Sequence, residues 1–208
     1  MSRFINTEKP LIVGLTGQTG AGKTTVSEMF MENEFYIINA DMVARLVMSK
    51  GSACLNDVVS AFGLDIINQD GELNRKKLAD IVFNDKLQLD KLNAITYPYI
   101  LEQIQKMINS ALTFCSNKIL IDAPTLFESG CNRLCDKVVS VVANKDLRVR
   151  RIIARDNLTK SQAESRIKSQ LDENFFRTHS DYIIENNSSK EDLQLKSLEV
   201  ISQIVIKK

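Results

Sequence analysis

The chain has 208 residues, of which 44% are hydrophobic and 25% are charged, as in an ordinary soluble globular protein. Its 27 Lys and Arg against 26 Asp and Glu leave a net charge of +1, which excludes the basic field that nucleic-acid or bulk membrane binding needs. The length predicts one α/β domain over residues 1–208 with a small inserted helical lobe.

Cysteine usage and hydropathy give the expected compartment. Cys131 and Cys135 have half of a metal-binding spacing without a second pair nearby, so free thiols are favoured over a zinc site. No basic-then-apolar leader precedes Leu11, and no apolar run approaches the ~18 residues of a membrane span. We therefore expect a cytoplasmic protein that does not bind a membrane.

The apolar run 11–16 is predicted to be the first strand, and a Gly-x4-Gly-Lys-Thr pattern follows it and opens a helix. This pattern is the sequence form of a phosphate-binding P-loop, and its strand and helix flanks disfavour a Gly-rich turn that binds nothing. Backbone N–H groups surround the anion, Lys23 reaches the terminal phosphates, and the Thr24 hydroxyl can bind magnesium. The residues expected to contact the nucleotide are Gly17, Gln18, Thr19, Gly20, Ala21, Gly22, Lys23, Thr24 and Thr25.

Asp41 follows the second predicted strand, 35–39, and is therefore expected at the same edge of the sheet as the P-loop. A carboxylate there can accept a hydroxyl proton during phosphoryl transfer. The alternative is that Asp41 caps the helix 42–48, and both roles can coexist. Arg45 lies one turn later on the same face, where it can touch an acceptor phosphate.

Residues 51–116 have helical periodicity and are predicted to be a helical insertion that shapes an acceptor pocket, or that only adds packing. A turn is expected at 63–71, and Asn74 is expected to cap a helix over 75–83. The next helix is predicted over 87–112, interrupted or restarted near Pro98.

The third predicted strand, 118–122, ends on Asp122. That position resembles the carboxylate that holds magnesium in P-loop enzymes. A turn-forming Asp before Ala123-Pro124 is an equally good interpretation. The fourth strand is predicted at 137–142.

Beyond that strand lies a basic helix in which Arg151 and Arg155 are four residues apart and share a face. With a P-loop in the chain, these arginines are expected to meet the transferred phosphate, although charged runs are usually solvated faces. Capping patterns predict a helix from Thr159 to about Glu173 and a C-terminal helix that starts at Ser188. The segment of about 148–176 is expected to act as a lid that excludes water.

A fifth strand at 181–184 completes an alternation of strands and helices, which predicts a three-layer P-loop fold with a parallel sheet. A GTPase needs Asp-x-x-Gly, and none of the eight glycines has Asp three positions earlier. Asn144-Lys145-Asp146 also departs from the guanine motif, because residue 147 is Leu. A regulatory nucleotide-binding module would not need Asp41 or the paired arginines, so a small-molecule kinase is favoured.

The ordered set of motifs covers nearly the whole chain. It consists of Gly14-Leu15-Thr16-Gly17 with Lys23-Thr24-Thr25, Asn39-Ala40-Asp41-Met42-Val43-Ala44-Arg45, Asp70-Gly71-Glu72-Leu73-Asn74-Arg75, Pro124-Thr125-Leu126-Phe127-Glu128, Arg151-Ile152-Ile153-Ala154-Arg155-Asp156, Gln170 and Asp181-Tyr182-Ile183-Ile184-Glu185-Asn186. This set resembles the dephospho-coenzyme A kinase family.

The resemblance implies transfer of the γ-phosphate of ATP, with Mg²⁺, to the ribose 3′-hydroxyl of dephospho-CoA, giving coenzyme A and ADP. It implies that Asp41 is the base, that Arg151 and Arg155 close over the phosphates, and that Asn186 lies near the ATP base or its supporting loop. The acceptor-side residues that it implies are Asp41, Arg45, Arg75, Tyr97, Pro98 and Pro124. Another small-molecule or nucleoside kinase is the alternative, and the oligomeric state stays open between a monomer and a weak homo-oligomer.

Three positions depart from the family pattern. Tyr97 stands where the family usually has His, so any role that needs an imidazole is absent, although tyrosine can stack and donate a hydrogen bond. Thr125 replaces a Leu, and Asn39 replaces an Asp two residues before Asp41. The changes at Thr125 and Asn39 are expected to affect acceptor affinity rather than the chemistry.

Overall fold

The structure is a computed structural model that describes residues 10–82, 85–114 and 116–206. Its sheet has five strands: β1 (Leu11–Gly17), β2 (Tyr36–Asn39), β3 (Lys118–Asp122), β4 (Lys137–Val142) and β5 (Tyr182–Glu185). The strand order is β2-β3-β1-β4-β5, and β1 is parallel to β3 and β4, as β4 is to β5. Each predicted strand is confirmed to within one residue at either end.

The helices are α1 (Lys23–Glu32), α2 (Ala40–Val47), α3 (Ala53–Phe62), α4 (Arg75–Val82), α5 (Lys86–Phe114), α6 (Lys145–Asp156), α7 (Lys160–Lys168), α8 (Glu173–His179) and α9 (Lys190–Ile206). Short 3₁₀ helices lie at Leu64–Ile66 and Cys131–Leu134. Within the described ranges, no helix is long and apolar enough to cross a membrane.

The chain divides into two compact units, residues 1–38 with 110–208 and residues 39–109. The first unit contains nearly all of the sheet. Its main core joins one face of the sheet to α1 and α9, through buried residues that include Val13, Leu15, Phe30, Val139 and Ile201. This pattern follows from strand alternation, because odd-numbered residues of β1 and β4 share a face.

The opposite face of the sheet is also covered. Ser140 is the buried residue between Val139 and Val141, so its side chain points away from the main core. Its Oγ is 2.6 Å from the Oγ of Ser180, which directly follows α8. Helices therefore lie on both faces of the parallel sheet, and the predicted three-layer P-loop architecture is confirmed.

The second unit has a helical core of its own, centred on α3 and α4. Its buried residues include Cys54, Leu55, Val58, Ile66 and Leu78. Before α4, Ile67 and Leu73 form one antiparallel bridge around the expected turn. The Asn74 Oδ1 accepts a hydrogen bond from the Lys77 N–H at 3.0 Å, as its predicted capping role requires. The last residue of the predicted helix, Phe83, and the cysteine at 115 lie outside the described residues.

Two predicted helix boundaries are wrong. The helix containing Pro98 is continuous over Lys86–Phe114. Proline removes one hydrogen bond, and the packing of buried residues further along α5, such as Ile104, offsets that loss. The helix that starts after Thr159 has its predicted capping box, but it ends at Lys168, because Asp172 caps a new helix by accepting from the Phe175 N–H at 2.7 Å.

The predicted start of the C-terminal helix is also wrong, by one residue. Ser189, not Ser188, precedes α9 and caps it, because its Oγ accepts from the Asp192 N–H at 3.2 Å.

Candidate active site

The predicted phosphate-binding loop runs from Gly17 at the end of β1 to Lys23 at the start of α1. Gly17 has a φ of 150° and lies against the backbone of Val141 in β4, so any side chain there would collide with main-chain atoms. The Gln18 N–H donates to the Val141 carbonyl at 3.1 Å, and the Ala21 N–H donates to the Gln18 carbonyl at 3.0 Å. The loop thus leads into a helix N-terminus, whose first-turn N–H groups and dipole favour an anion.

Lys23, the first residue of α1, forms an ion pair with Asp122, the last residue of β3. Their side chains are 18% and 7% exposed, so the pair is largely withdrawn from solvent. Asp122 therefore does more than form a turn, because it neutralises the P-loop lysine. Thr24, the next residue of α1, is exposed.

The segment after β3 is fixed against the end of β1 and against α8. The Thr16 hydroxyl donates to the Pro124 carbonyl at 3.1 Å. Phe127 meets the ring of Phe175 edge-on with 5.2 Å between centroids, and Phe175 stacks on His179 at 4.0 Å. These contacts hold Pro124 close to the strand that carries the P-loop.

Asn186 and Arg151 hold the P-loop by its carbonyl oxygens. Asn186 follows β5 and is 6% exposed, and its Nδ2 donates to the Ala21 carbonyl at 2.7 Å. The Arg151 guanidinium donates to the Gly20 carbonyl at 3.4 Å, and to the Asn186 backbone oxygen and Oδ1 at 3.3 Å each. A side chain at Gly22 would collide with the Asn186 amide. Arg151 is thus bound to the loop and is not a free surface cation.

Gln170 makes a further contact with the same loop. It lies between α7 and α8, and its Oε1 accepts a hydrogen bond from the Thr19 N–H at 2.8 Å. Gln18, by contrast, has a buried side-chain oxygen with no hydrogen-bond partner among the described residues.

Arg155 has a different environment from Arg151. Its guanidinium donates two hydrogen bonds of 2.8 Å to Asp156, which also pairs with Arg166 at 2.7 Å. The hydrogen bond from Arg155 lowers the pKa of the Asp156 carboxyl, so the cluster stays ionised. The Arg155 side chain is 57% exposed and can reorient at little cost.

In the second unit, Asp41 and Arg45 are exposed residues of α2. Asn39, and not Asp41, caps this helix, because its Oδ1 accepts from the Met42 N–H at 3.0 Å. The alternative that Asp41 is merely the cap is therefore wrong. Arg75 of α4 donates to the Arg45 carbonyl at 3.4 Å, which brings these two predicted acceptor-side residues together.

Pro98 lines an open cavity of about 630 Å³ between α3 and α5, together with Asp57 and Tyr99. The Tyr99 hydroxyl donates to Asp57 at 2.5 Å, and this bond raises the pKa of Tyr99. Tyr97 is half-buried on α5.

Comparison with known proteins identifies the family. The family model described as dephospho-CoA kinase matches residues 11–192. The chain belongs to this family. A dephospho-CoA kinase from Fusobacterium nucleatum is 38% identical over 184 residues, which cover 88% of this chain and 93% of that protein.

Two solved structures are similar to this chain over most of its length. The crystal structure of TT1252 from Thermus thermophilus is 26% identical with a TM-score of 0.80, and the match covers 94% of this chain and 98% of that one. A dephospho-CoA kinase from Campylobacter jejuni is 30% identical with a TM-score of 0.69, covering 93% and 96% of the two chains.

In this family member, the structure links residues that the sequence places far apart. Within the first unit, the P-loop is in direct contact with Asp122, Arg151 and Asn186. Gln170 belongs to the ordered motif set, but the sequence does not indicate its role, because its partner is a backbone N–H group. The cap at Asn39 has a signal in the sequence, since Asn is among the best N-cap residues.

Proposed function

We propose that the protein transfers the γ-phosphate of ATP to the ribose 3′-hydroxyl of dephospho-CoA, giving coenzyme A and ADP in the last step of coenzyme A biosynthesis. The observation that carries this proposal is the family match over residues 11–192, within which the P-loop has its expected strand-loop-helix geometry. We place the reaction in the cytoplasm.

The donor half of the site is assigned to the loop 17–25. Its backbone N–H groups and the α1 N-terminus would bind the phosphates, and Lys23 would leave Asp122 to reach them. The Thr24 hydroxyl and the Asp122 carboxylate are oxygen donors that suit Mg²⁺, which when bound supplies neutralisation of the phosphate charge. Asn186 would support the ATP site through its bond to Ala21.

Asp41 is assigned the role of general base. Its carboxylate would take the proton of the acceptor hydroxyl as that oxygen bonds to the γ-phosphorus, while the bond from phosphorus to the β,γ-bridging oxygen breaks and ADP leaves. Its exposed position in the first turn of α2, with the cap supplied by Asn39, leaves the carboxylate free for this task. The residues Arg45, Arg75, Tyr97, Pro98 and Pro124 would bind the acceptor.

Two arginines of α6, Arg155 and Arg151, are assigned different roles at the phosphates. Arg155 is exposed and, within the described part of the chain, its ion pair is with the neighbouring Asp156, so it would swing to the transferred phosphate. Arg151 would act from its bonds to Gly20 and Asn186, with its charge close to the phosphates.

An acceptor panel tests the assignment. ADP release is measured with dephospho-CoA, adenosine, shikimate, gluconate and uridine, and product phosphorylation at the 3′-position is followed by mass spectrometry and NMR. We expect a clear preference for dephospho-CoA, and the double variant Lys23→Met with Asp122→Asn serves as the inactive control, because it removes both charges of the buried pair. A preference for another acceptor would instead establish a different small-molecule kinase of this fold.

A further inference from the structure

Three consecutive residues of the P-loop are each held by a side chain from elsewhere in the first unit. The Thr19 N–H is bound by Gln170, the Gly20 carbonyl by Arg151 and the Ala21 carbonyl by Asn186. Three glycines in this loop have positive φ: 150° at Gly17, 76° at Gly20 and 103° at Gly22. Glycine adopts such conformations without steric cost, so the loop backbone has more accessible conformations than one without glycine. External hydrogen bonds therefore decide which way these peptide groups face.

Arg151 lies on α6, and Gln170 follows α7, the helix that packs against α6. Val149 and Ile152 of α6 form a small core with Ala163 of α7, and Ile167 packs against it. The Gln170 N–H donates to the Ile167 carbonyl at 3.3 Å, which joins Gln170 to the end of α7. The α6–α7 pair thus contacts the P-loop at two adjacent residues, through Arg151 on α6 and through Gln170 beyond α7.

We propose that Gln170 is a positioning residue for the nucleotide site: its amide oxygen stays on the Thr19 N–H when nucleotide binds, and it couples the order of residues 157–172 to occupancy of the P-loop. The proposal rests on the proposed function only in taking an adenine nucleotide as the ligand. Since Thr19 N–H is turned to Gln170, the phosphates are bound by the remaining N–H groups of the loop and by Lys23.

The competing explanation is that the Gln170 oxygen stands where a phosphate oxygen will bind and must be displaced. The two explanations predict opposite changes in nucleotide affinity when the contact is removed. A positioning contact helps nucleotide binding, so its loss weakens affinity, whereas a displaced contact competes with nucleotide, so its loss strengthens affinity.

The test uses three variants of the full chain. Gln170→Leu removes the acceptor oxygen, and Gln170→Glu keeps an acceptor oxygen and adds a negative charge. Gln203→Leu, on the exposed face of α9, is the control. ADP affinity is measured by calorimetry, so no acceptor is needed. Amide hydrogen exchange of residues 157–172 is measured with and without ADP.

For Gln170→Leu we expect ADP affinity to fall about three- to tenfold, the usual effect of one hydrogen bond, and ADP-dependent protection of 157–172 to be lost. Gln170→Glu should keep that protection while its added charge weakens ADP binding in a way that salt relieves. It also keeps the test decisive if the leucine variant does not fold. The control should match the parent protein.

Tighter ADP binding or unchanged protection in Gln170→Leu would overturn the proposal, as would loss of protection in Gln170→Glu. A failure of the acceptor assignment would leave these ADP measurements unchanged, so the two failures are distinguishable.

Discussion

Asp41 is the residue on which the chemical step depends in our proposal, and the cap at Asn39 makes it testable. Asp41→Asn should lower kcat by about 10² or more, the scale of general-base assistance, and leave the KM for ATP nearly unchanged. Helix stability should fall by only about 0.3–1 kcal/mol, because one acidic group near the N-terminus is lost. Steady-state kinetics and urea unfolding measure both effects.

Asp65→Asn, at an exposed carboxylate in the second unit, is the matched control and should leave kcat unchanged. Near-normal turnover in a folded Asp41→Asn enzyme would remove Asp41 from the chemistry.

Cys54 gives the protein a measurable response to alkaline pH. Burial raises the pKa of this thiol from 9.0 to about 11, with a smaller contribution from the Asp57 charge. As pH rises, the thiol of the unfolded state loses its proton before the buried thiol does. The contribution of Cys54 protonation to the free energy of unfolding is therefore complete below pH 9 and is lost as pH rises from 9 towards 11. We expect the urea midpoint to fall across this window, and Cys54→Ala to flatten the fall although it lowers stability at pH 7. An unchanged slope in Cys54→Ala would assign the alkaline response to other groups.

At the scale of elements, α5 shows where packing prevails over a local rule. Pro98 sits inside a 29-residue helix, where proline costs about 3 kcal/mol relative to Ala. Pro98→Ala should therefore raise the free energy of unfolding by about 1–3 kcal/mol in urea titrations. The KM for dephospho-CoA should rise if Pro98 shapes the acceptor site as proposed.

Ala94 is an exposed residue of the same helix, and Ala94→Gly is the stability control. It should change stability in the opposite direction, lowering the free energy of unfolding by about 1 kcal/mol. A more stable Pro98→Ala enzyme with unaltered acceptor kinetics would leave Pro98 without a role in binding.

The boundaries of α5, α7 and α9 explain how much of the fold the sequence can predict. Strands were predictable because their apolar runs are bounded by polar residues, as at Lys118 and Asp122. Helix ends were harder, because Ser188 and Ser189 are both good caps and Asp172 acts as one without a capping box. The sequence was sufficient to predict where the P-loop and Asp122 lie, after β1 and at the end of β3, because both follow apolar strand patterns. The site was not predictable at Gln170 or at the Arg151–Asn186 contact, which depend on backbone carbonyl and N–H groups brought together by the fold.

For the whole molecule, nucleotide binding is expected to raise the free energy of unfolding, because the described P-loop contacts exist only in the folded chain. ADP at about 100 times its Kd should stabilise the protein by about 2.7 kcal/mol. That corresponds to a rise in Tm of roughly 5–11 °C for a chain of this size. Differential scanning calorimetry at several ADP concentrations measures the shift.

Lys23→Ala alone is a poor test of this linkage, because it leaves the Asp122 carboxylate, 7% exposed, without its cation. Breaking such a pair costs about 3–5 kcal/mol, so the Tm would fall for a reason unrelated to nucleotide. The double variant Lys23→Met with Asp122→Asn removes both charges and should recover most of the stability of the ligand-free protein. We expect it to lose the ADP-dependent shift nonetheless, since the cation that meets the phosphates is gone. A full ADP shift in the double variant would mean that the phosphates bind without Lys23.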